Sequence, residues 1–203
     1  MLSNEAGQAR EARAYLAEAR AHLVPAPARL IAIGGPSGTG KSRLAQALAC
    51  HIGAAPGAVI LRSDVIRKRL AGVPPTARLR EGAYTAEATA AVYAALAAEA
   101  QTALLAGHAV IADAVFGRRE ERAALEVTAR LAGVTLAGLW LDAPLAVRES
   151  RVATRMNDAS DADIGIVRRQ DGLGLSAPEW TAIDASGPPE ATHRRAMSAL
   201  APG

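Results

Sequence analysis

The residues with the clearest capacity for chemistry run Gly35-Pro36-Ser37-Gly38-Thr39-Gly40-Lys41-Ser42-Arg43, which contains G-x-x-x-x-G-K-[ST]. Glycines at 35, 38 and 40 allow backbone conformations closed to residues with a Cβ, so successive N–H groups can point into one concavity that fits a phosphate. A helix starting at this point aims its positive end at the same spot. Lys41 is placed to reach terminal phosphates, and the Ser42 hydroxyl to ligate magnesium. Lysine occurs only at 41 and 68 in a chain otherwise rich in arginine, so Lys41 is not there for bulk charge. These residues imply a nucleoside triphosphate ligand.

The elements that must hold this loop read clearly. Residues 29–33 form a short apolar run, a buried strand, and the segment after Ser42 is a helix with Leu44, Ala45, Leu48 and Ala49 on one face. A second strand, Ala58-Val59-Ile60-Leu61, delivers Asp64 and Arg67, and a third, 108–112, ends on Asp113. Between them, 84–106 reads as an alanine-rich helix with Tyr93, Leu96, Ala100 and Leu104 facing the core. A helix over 118–131, a fourth strand over 134–141, a fifth over 180–184 and a closing helix from Pro188 complete the pattern. Alternating strands and helices predict an α/β fold, a parallel sheet with helices on both faces and right-handed crossovers.

Phosphoryl transfer to an alcohol calls for a carboxylate that orients the hydroxyl and takes its proton, and for positive charge on the group in transit. Asp64 and Arg67 supply both at i, i+3, at the carboxyl edge of the sheet where open α/β folds bind ligands. The plainer alternative makes Asp64 a helix cap and Arg67 a solvated surface residue. Pro144 opens a helix to about Arg155 from which Arg148, Arg151 and Arg155 project as a candidate cationic lid, Arg148 being equally able to pair with Glu149 or face solvent. In the acidic run from Asp158 to Asp163, Ser160 and Asp163 read as a capping box in preference to a metal loop. Arg118 and Arg119 open a helix after Asp113 and are candidates for an anionic acceptor.

Composition narrows the classes. A chain of 203 residues with net charge +3, its charges interspersed, suits one domain and shows no nucleic-acid block. The single cysteine, Cys50, excludes an internal disulfide, fits a reducing compartment and is expected in the core. No signal peptide or membrane-length apolar run is evident, which predicts a cytoplasmic protein. The chain has no Asn-Lys-x-Asp element for guanine, and Asp113 is followed by Ala114 where a mechanical ATPase carries a water-activating Glu. Transfer to an acceptor is therefore favoured over hydrolysis.

Taken together, Gly35 to Ser42, Ser63-Asp64-x-x-Arg67, Asp113 at a strand end and Arg151-x-x-x-Arg155 resemble the small phosphate-loop kinases. That group includes gluconate kinase, chloramphenicol phosphotransferase, the zeta-toxin kinases and the 5′-kinase domain of polynucleotide kinase. The runs 61–70, Asp113-Ala114-Val115-Phe116 and 158–162 are most similar to a kinase domain often fused behind an aminoglycoside phosphotransferase-like domain. The resemblance implies a P-loop NTPase fold of nucleoside monophosphate kinase type, with a five-stranded parallel sheet in three layers, using ATP and Mg2+. By position, Asp64 would be the general base, Arg67 a contact to the phosphoryl or acceptor, Arg151 and Arg155 the closing clamp, and Asp113 a magnesium or acceptor ligand. Residues 181–187 would lie near the adenine.

The expected organisation is an N-terminal amphipathic helix and Pro linker over 1–27, then a kinase domain over 28–203 with a lid around 144–170. The helix has Ala9, Ala12, Leu16, Ala19 and Leu23 on one side and offers a surface for self-association or a partner domain. The leading reading is a kinase acting on a small-molecule hydroxyl. The rivals are a nucleotide-dependent binding module with little turnover and a polynucleotide 5′-kinase, the latter disfavoured by a single phenylalanine and sparse aromatics.

Overall fold

A computed structural model describes residues 2–23, 27–79, 81–154 and 159–201. Strand β1, Leu30–Gly34, is buried throughout. Leu30 and Ala32 turn into one core layer, Ile31 and Ile33 into the other, because successive side chains leave a strand on opposite faces. Around it β2 (Val59–Arg62), β3 (Val110–Asp113), β4 (Leu136–Asp142) and β5 (Thr181–Asp184) complete a parallel sheet of 5 strands in the order β2-β3-β1-β4-β5.

Helices cover both faces. On one, α2 (Lys41–Ala49) and α8 (Pro189–Leu200) bring Leu44, Ala45, Leu48, Ala196 and Leu200 against Ile31, Ile33 and Ile111. On the other, α4 (Ala86–Leu105) and α5 (Arg119–Leu131) place Val92, Leu96, Ala100, Leu104 and Leu125 on Leu30, Val110 and Ala112. This is the P-loop NTPase architecture of three layers expected from the sequence. Parallel order also aligns the strand ends: Ile33 is level with Asp113, and Asp113 with Arg62, so the functional residues meet at one edge.

Several local expectations are corrected. The helix expected from Tyr84 begins at Ala86 with Thr85 as its cap, its Oγ1 accepting the Ala88 N–H, and Tyr84 ends a 3-10 turn over Glu81–Tyr84. The helix α7, Ile164–Gly172, is capped by the side chain of Asp163, which accepts the Ile166 N–H at 2.9 Å, in place of the expected Ser160–Asp163 box. Pro144 is the residue before α6, Leu145–Ala153, not its first. Cys50 is exposed, because it lies just past α2 on the solvent side. Helix α4 does reach membrane-spanning length, with hydropathy 1.2, but its Val92, Leu96, Ala100 and Leu104 are buried in the sheet's core layer. The N-terminal helix α1, Leu2–Leu23, exposes Ala9, Ala12, Leu16 and Ala19.

Candidate active site

The glycine loop leaves β1 and enters α2 with Gly35, Gly38 and Gly40 all at positive φ, 132°, 86° and 95°. Two of them are also fixed by space: a Cβ at 35 would lie 2.3 Å from the Leu141 carbonyl oxygen, and one at 38 would lie 2.6 Å from that of Arg148. The loop is pinned at its start, where Gly35 N–H donates to Val115 O at 3.1 Å. Within it, Thr39 Oγ1 and Lys41 Nζ both donate to Pro36 O at 2.9 Å. A curled loop at a helix N-terminus, with a lysine and a serine at its end, is suited to a polyphosphate.

Next to the loop lies Asp113, 4% exposed. Burial pushes its carboxyl above the usual carboxylate range, against the pull of Lys41, a hydrogen bond from Ser42 and the charge of Arg62. Arg62 Nε stands 3.3 Å from Asp113 Oδ2. The Ser42 hydroxyl and the Asp113 carboxylate are thus a hard-oxygen pair at the mouth of the loop, the donor chemistry that suits magnesium beside a phosphate. They would hold that ion, which neutralises charge on the phosphates when bound.

Across the sheet edge, α3, Ser63–Leu70, presents Asp64 in its first turn; Arg62 occupies the cap position, so Asp64 is not the cap. Arg67, on the same face, donates to Ala83 O at 2.7 Å and to Thr89 Oγ1 at 3.4 Å, and its guanidinium lies 4.9 Å from the centre of the Tyr84 ring. Tyr84 in turn donates to Asp161 Oδ2 at 2.7 Å, and Lys68 Nζ, buried under α3, reaches Asp161 Oδ1 at 3.1 Å. The Leu79 N–H donates to the same carboxylate at 3.1 Å. Asp161 therefore fastens the 74–84 loop to the lid side, and Ser160 and Asp163 do not form the expected capping box. A short motif scan has no signal for this, because the partners are far apart in sequence.

Arg151 projects from α6, but its guanidinium donates to Ala185 O and Gly187 O, each at 2.8 Å, and lies 3.5 Å from Thr39 O. It ties the glycine loop to the turn after β5. Residues lining the cavity on that side are Pro189, Glu190, Thr192 and His193, a little beyond the expected 181–187. Arg148 neither pairs with Glu149 nor faces solvent; it is 3% exposed, pairs with Asp171 and donates to Ala143 O at 3.0 Å. Arg118 stands at the start of α5, where its N–H donates to Glu121 Oε2 at 3.1 Å. Arg155 lies outside the described residues.

Lys41, Ser42, Arg43, Asp64, Arg67, Asp113, Arg118 and Arg151 all border one cavity of about 1370 Å³. That exceeds the ~300–1,000 Å³ of a typical single-ligand pocket, leaving room for a second ligand beside the first. Sequence reasoning missed further walls. Tyr93, expected in the core, borders the cavity, and its hydroxyl oxygen accepts the Phe116 N–H at 3.0 Å. Phe116, buried at φ 50°, is held in that left-handed conformation by this bond and by Arg122, which donates to its carbonyl at 2.9 Å.

Residues 30–172 match the family model described as an AAA domain, AAA_33, and the chain belongs to that family. Uncharacterized proteins of Mycobacterium bovis and Mycobacterium tuberculosis are 31% identical to it over 174 residues. The match covers 81% of this chain and 33% of theirs, so the chain spans about a third of the length of these relatives. Among solved structures, a sugar kinase from Janibacter, unliganded, superposes with TM-score 0.60 at 23% identity, covering 86% of this chain and 95% of that one. A gluconokinase from Sinorhizobium meliloti gives 0.60 at 23%, covering 86% and 91%. The Mycobacterium tuberculosis APS kinase in complex with AMPPNP and APS gives 0.62 at 19%, covering 86% and 98%. At these identities the likeness establishes the fold, that of P-loop kinases.

Proposed function

We propose that this protein is an ATP- and magnesium-dependent kinase that transfers the γ-phosphate to a hydroxyl of a small-molecule acceptor. The observation that carries this is the cavity itself, whose wall brings the phosphate loop and the Ser42–Asp113 pair together with Asp64 and Arg67. Kinase structures with the same fold support it.

In this reading, Lys41 and the loop N–H groups hold the polyphosphate, and Ser42 and Asp113 hold the ion. Asp64 orients the acceptor hydroxyl and takes its proton as the oxygen attacks phosphorus. Arg67 has its plane set by Ala83, Thr89 and Tyr84, and so offers fixed positive charge to the acceptor or the group in transit. Arg118 contributes charge on the acceptor side. Arg151 acts from the loop side, as a brace on the main chain, and Arg155 is its proposed partner in the lid. Ala114 next to Asp113 leaves no carboxylate to activate water there, which favours an acceptor alcohol over hydrolysis.

The test is ADP release from magnesium-ATP with and without a panel of hydroxyl acceptors: sugars, nucleosides, aminoglycosides and a 5′-hydroxyl oligonucleotide. Stimulation by one class is expected, and Asp64→Asn should keep ATP affinity while lowering stimulated transfer by at least the ~10²-fold typical of a positioned general base. Undiminished transfer in Asp64→Asn would remove that residue from the mechanism. ATP binding without stimulation by any acceptor would favour the binding-module reading.

A further inference from the structure

Gln170, in the last turn of α7, has no part in the motifs above, yet it touches the glycine loop. Its Oε1 accepts the main-chain N–H of Ser37 at 2.7 Å. Both residues border the main cavity. Ser37 belongs to the loop whose N–H groups are the means of binding phosphate. The carboxamide oxygen therefore sits where an anion's oxygen would accept the same N–H.

The contact is supported from behind. Asp171, the next residue, pairs with buried Arg148, whose Nε is held by Ala143 O at 3.0 Å. The main chain of Arg148 lies against Gly38, close enough that a Cβ there would fall 2.6 Å from its carbonyl oxygen. One arginine thus braces the loop and fixes the end of α7 that carries Gln170. A carboxamide has one property that neither a carboxylate nor a cation shares: it can accept from an N–H, or turn and donate its NH2 to an anion.

We propose that Gln170 reads the terminal phosphate of the bound nucleotide, accepting the Ser37 N–H when that phosphate is absent and donating to a phosphoryl oxygen when it is present. This rests on the triphosphate-binding reading above. It makes α7 the element that distinguishes tri- from diphosphate, so that the lid side is tightened by substrate and released by product.

The experiment is equilibrium titration of the full chain with fluorescent ADP and a fluorescent non-hydrolysable ATP analogue in magnesium, comparing wild type, Gln170→Ala, Gln170→Glu and Lys41→Ala. Gln170→Ala should weaken the triphosphate analogue by roughly tenfold, the size of one hydrogen bond to a charged group, and leave ADP within about twofold. Gln170→Glu keeps the shape but can only accept, so it should weaken the analogue further, again sparing ADP. Intact ADP affinity shows that each variant is folded. Equal weakening of both nucleotides, or no weakening of the analogue in either variant, overturns the proposal while leaving nucleotide binding standing. Wild type that binds neither nucleotide, or binds both no better than Lys41→Ala, overturns the underlying reading and this one with it.

Discussion

Lys41, Ser42 and Asp113 show how few side chains separate a glycine turn from a nucleotide site. Lys41 is held by a loop carbonyl at 2.9 Å, and it also bears electrostatically on buried Asp113. A charge-assisted hydrogen bond is worth ~1.5–3 kcal/mol, so Lys41→Ala should weaken triphosphate binding by roughly 10- to 100-fold in a calorimetric titration. In the proposed mechanism Asp113 has the separate task of holding the ion. In Asp113→Asn the affinity for ATP with magnesium should fall to near its value in chelator, whereas wild type should bind about tenfold tighter with the ion than without it, the worth of ~1.4 kcal/mol. Because burial raises the Asp113 carboxyl, against Lys41, Ser42 and Arg62, protonation competes with the ion from a higher pH than for an ordinary carboxylate. The magnesium advantage should accordingly begin to shrink on acidification at a pH above the usual carboxylate range; an Asp113→Asn variant with the full advantage would exclude Asp113 from the ion's shell.

Among elements, the tie of α3, the 74–84 loop and the segment before α7 through Asp161 carries the most consequence. Burial alone would push the Asp161 carboxyl up, but the hydrogen bond from Tyr84, with those of Lys68 and the Leu79 N–H, outweighs it and holds the group below its ordinary value. A carboxylate depressed in the folded state contributes stability that is fully present above its unfolded pKa, ~3.9, and lost as pH falls through the lower native value. Asp161→Asn strands a buried lysine, so urea unfolding at neutral pH should show a loss of roughly 2–4 kcal/mol. The gap to wild type should close below about pH 4, and a gap constant down to about pH 3 would show that the tie is not electrostatic. This tie also marks the limit of what local sequence reveals. The strands could be read because Leu30–Gly34 and Val110–Asp113 are continuous apolar runs, and the loop because its glycines are spaced for a known shape. Nothing near residue 161 announces that Lys68 and Tyr84 will reach it, nor near 170 that Ser37 will. Asp163 capped α7 in place of Ser160 because an Asx side chain one residue ahead of the helix wins over a box three residues longer. The start of α4 falls after Tyr84 because Thr85, whose Oγ1 accepts the Ala88 N–H, caps the helix there.

At the scale of the whole molecule, the sheet and its two helical layers account for the core, and α1 stands apart from both. Its described side chains, including Tyr15 at 71% and Leu16 at 54% exposure, face solvent, while Leu30 immediately downstream of the linker is fully buried. Hydrophobic burial sets most of a domain's stability, at ~25 cal/mol per Å² of apolar surface removed from water, so an element that buries little contributes little. Residues 28–203 on their own should then melt within about 2–4 °C of the full chain, the shift that ~1 kcal/mol produces in a domain of this size, and should bind magnesium-ATP equally well. Matched thermal melts and titrations of the two lengths would check this. A drop of about ten degrees or lost nucleotide binding would mean that α1 is part of the kinase fold. A melting temperature that rises with concentration in the full chain and not in 28–203 would identify α1 as a self-association helix, since only a species stabilised by its own copies gains from mass action.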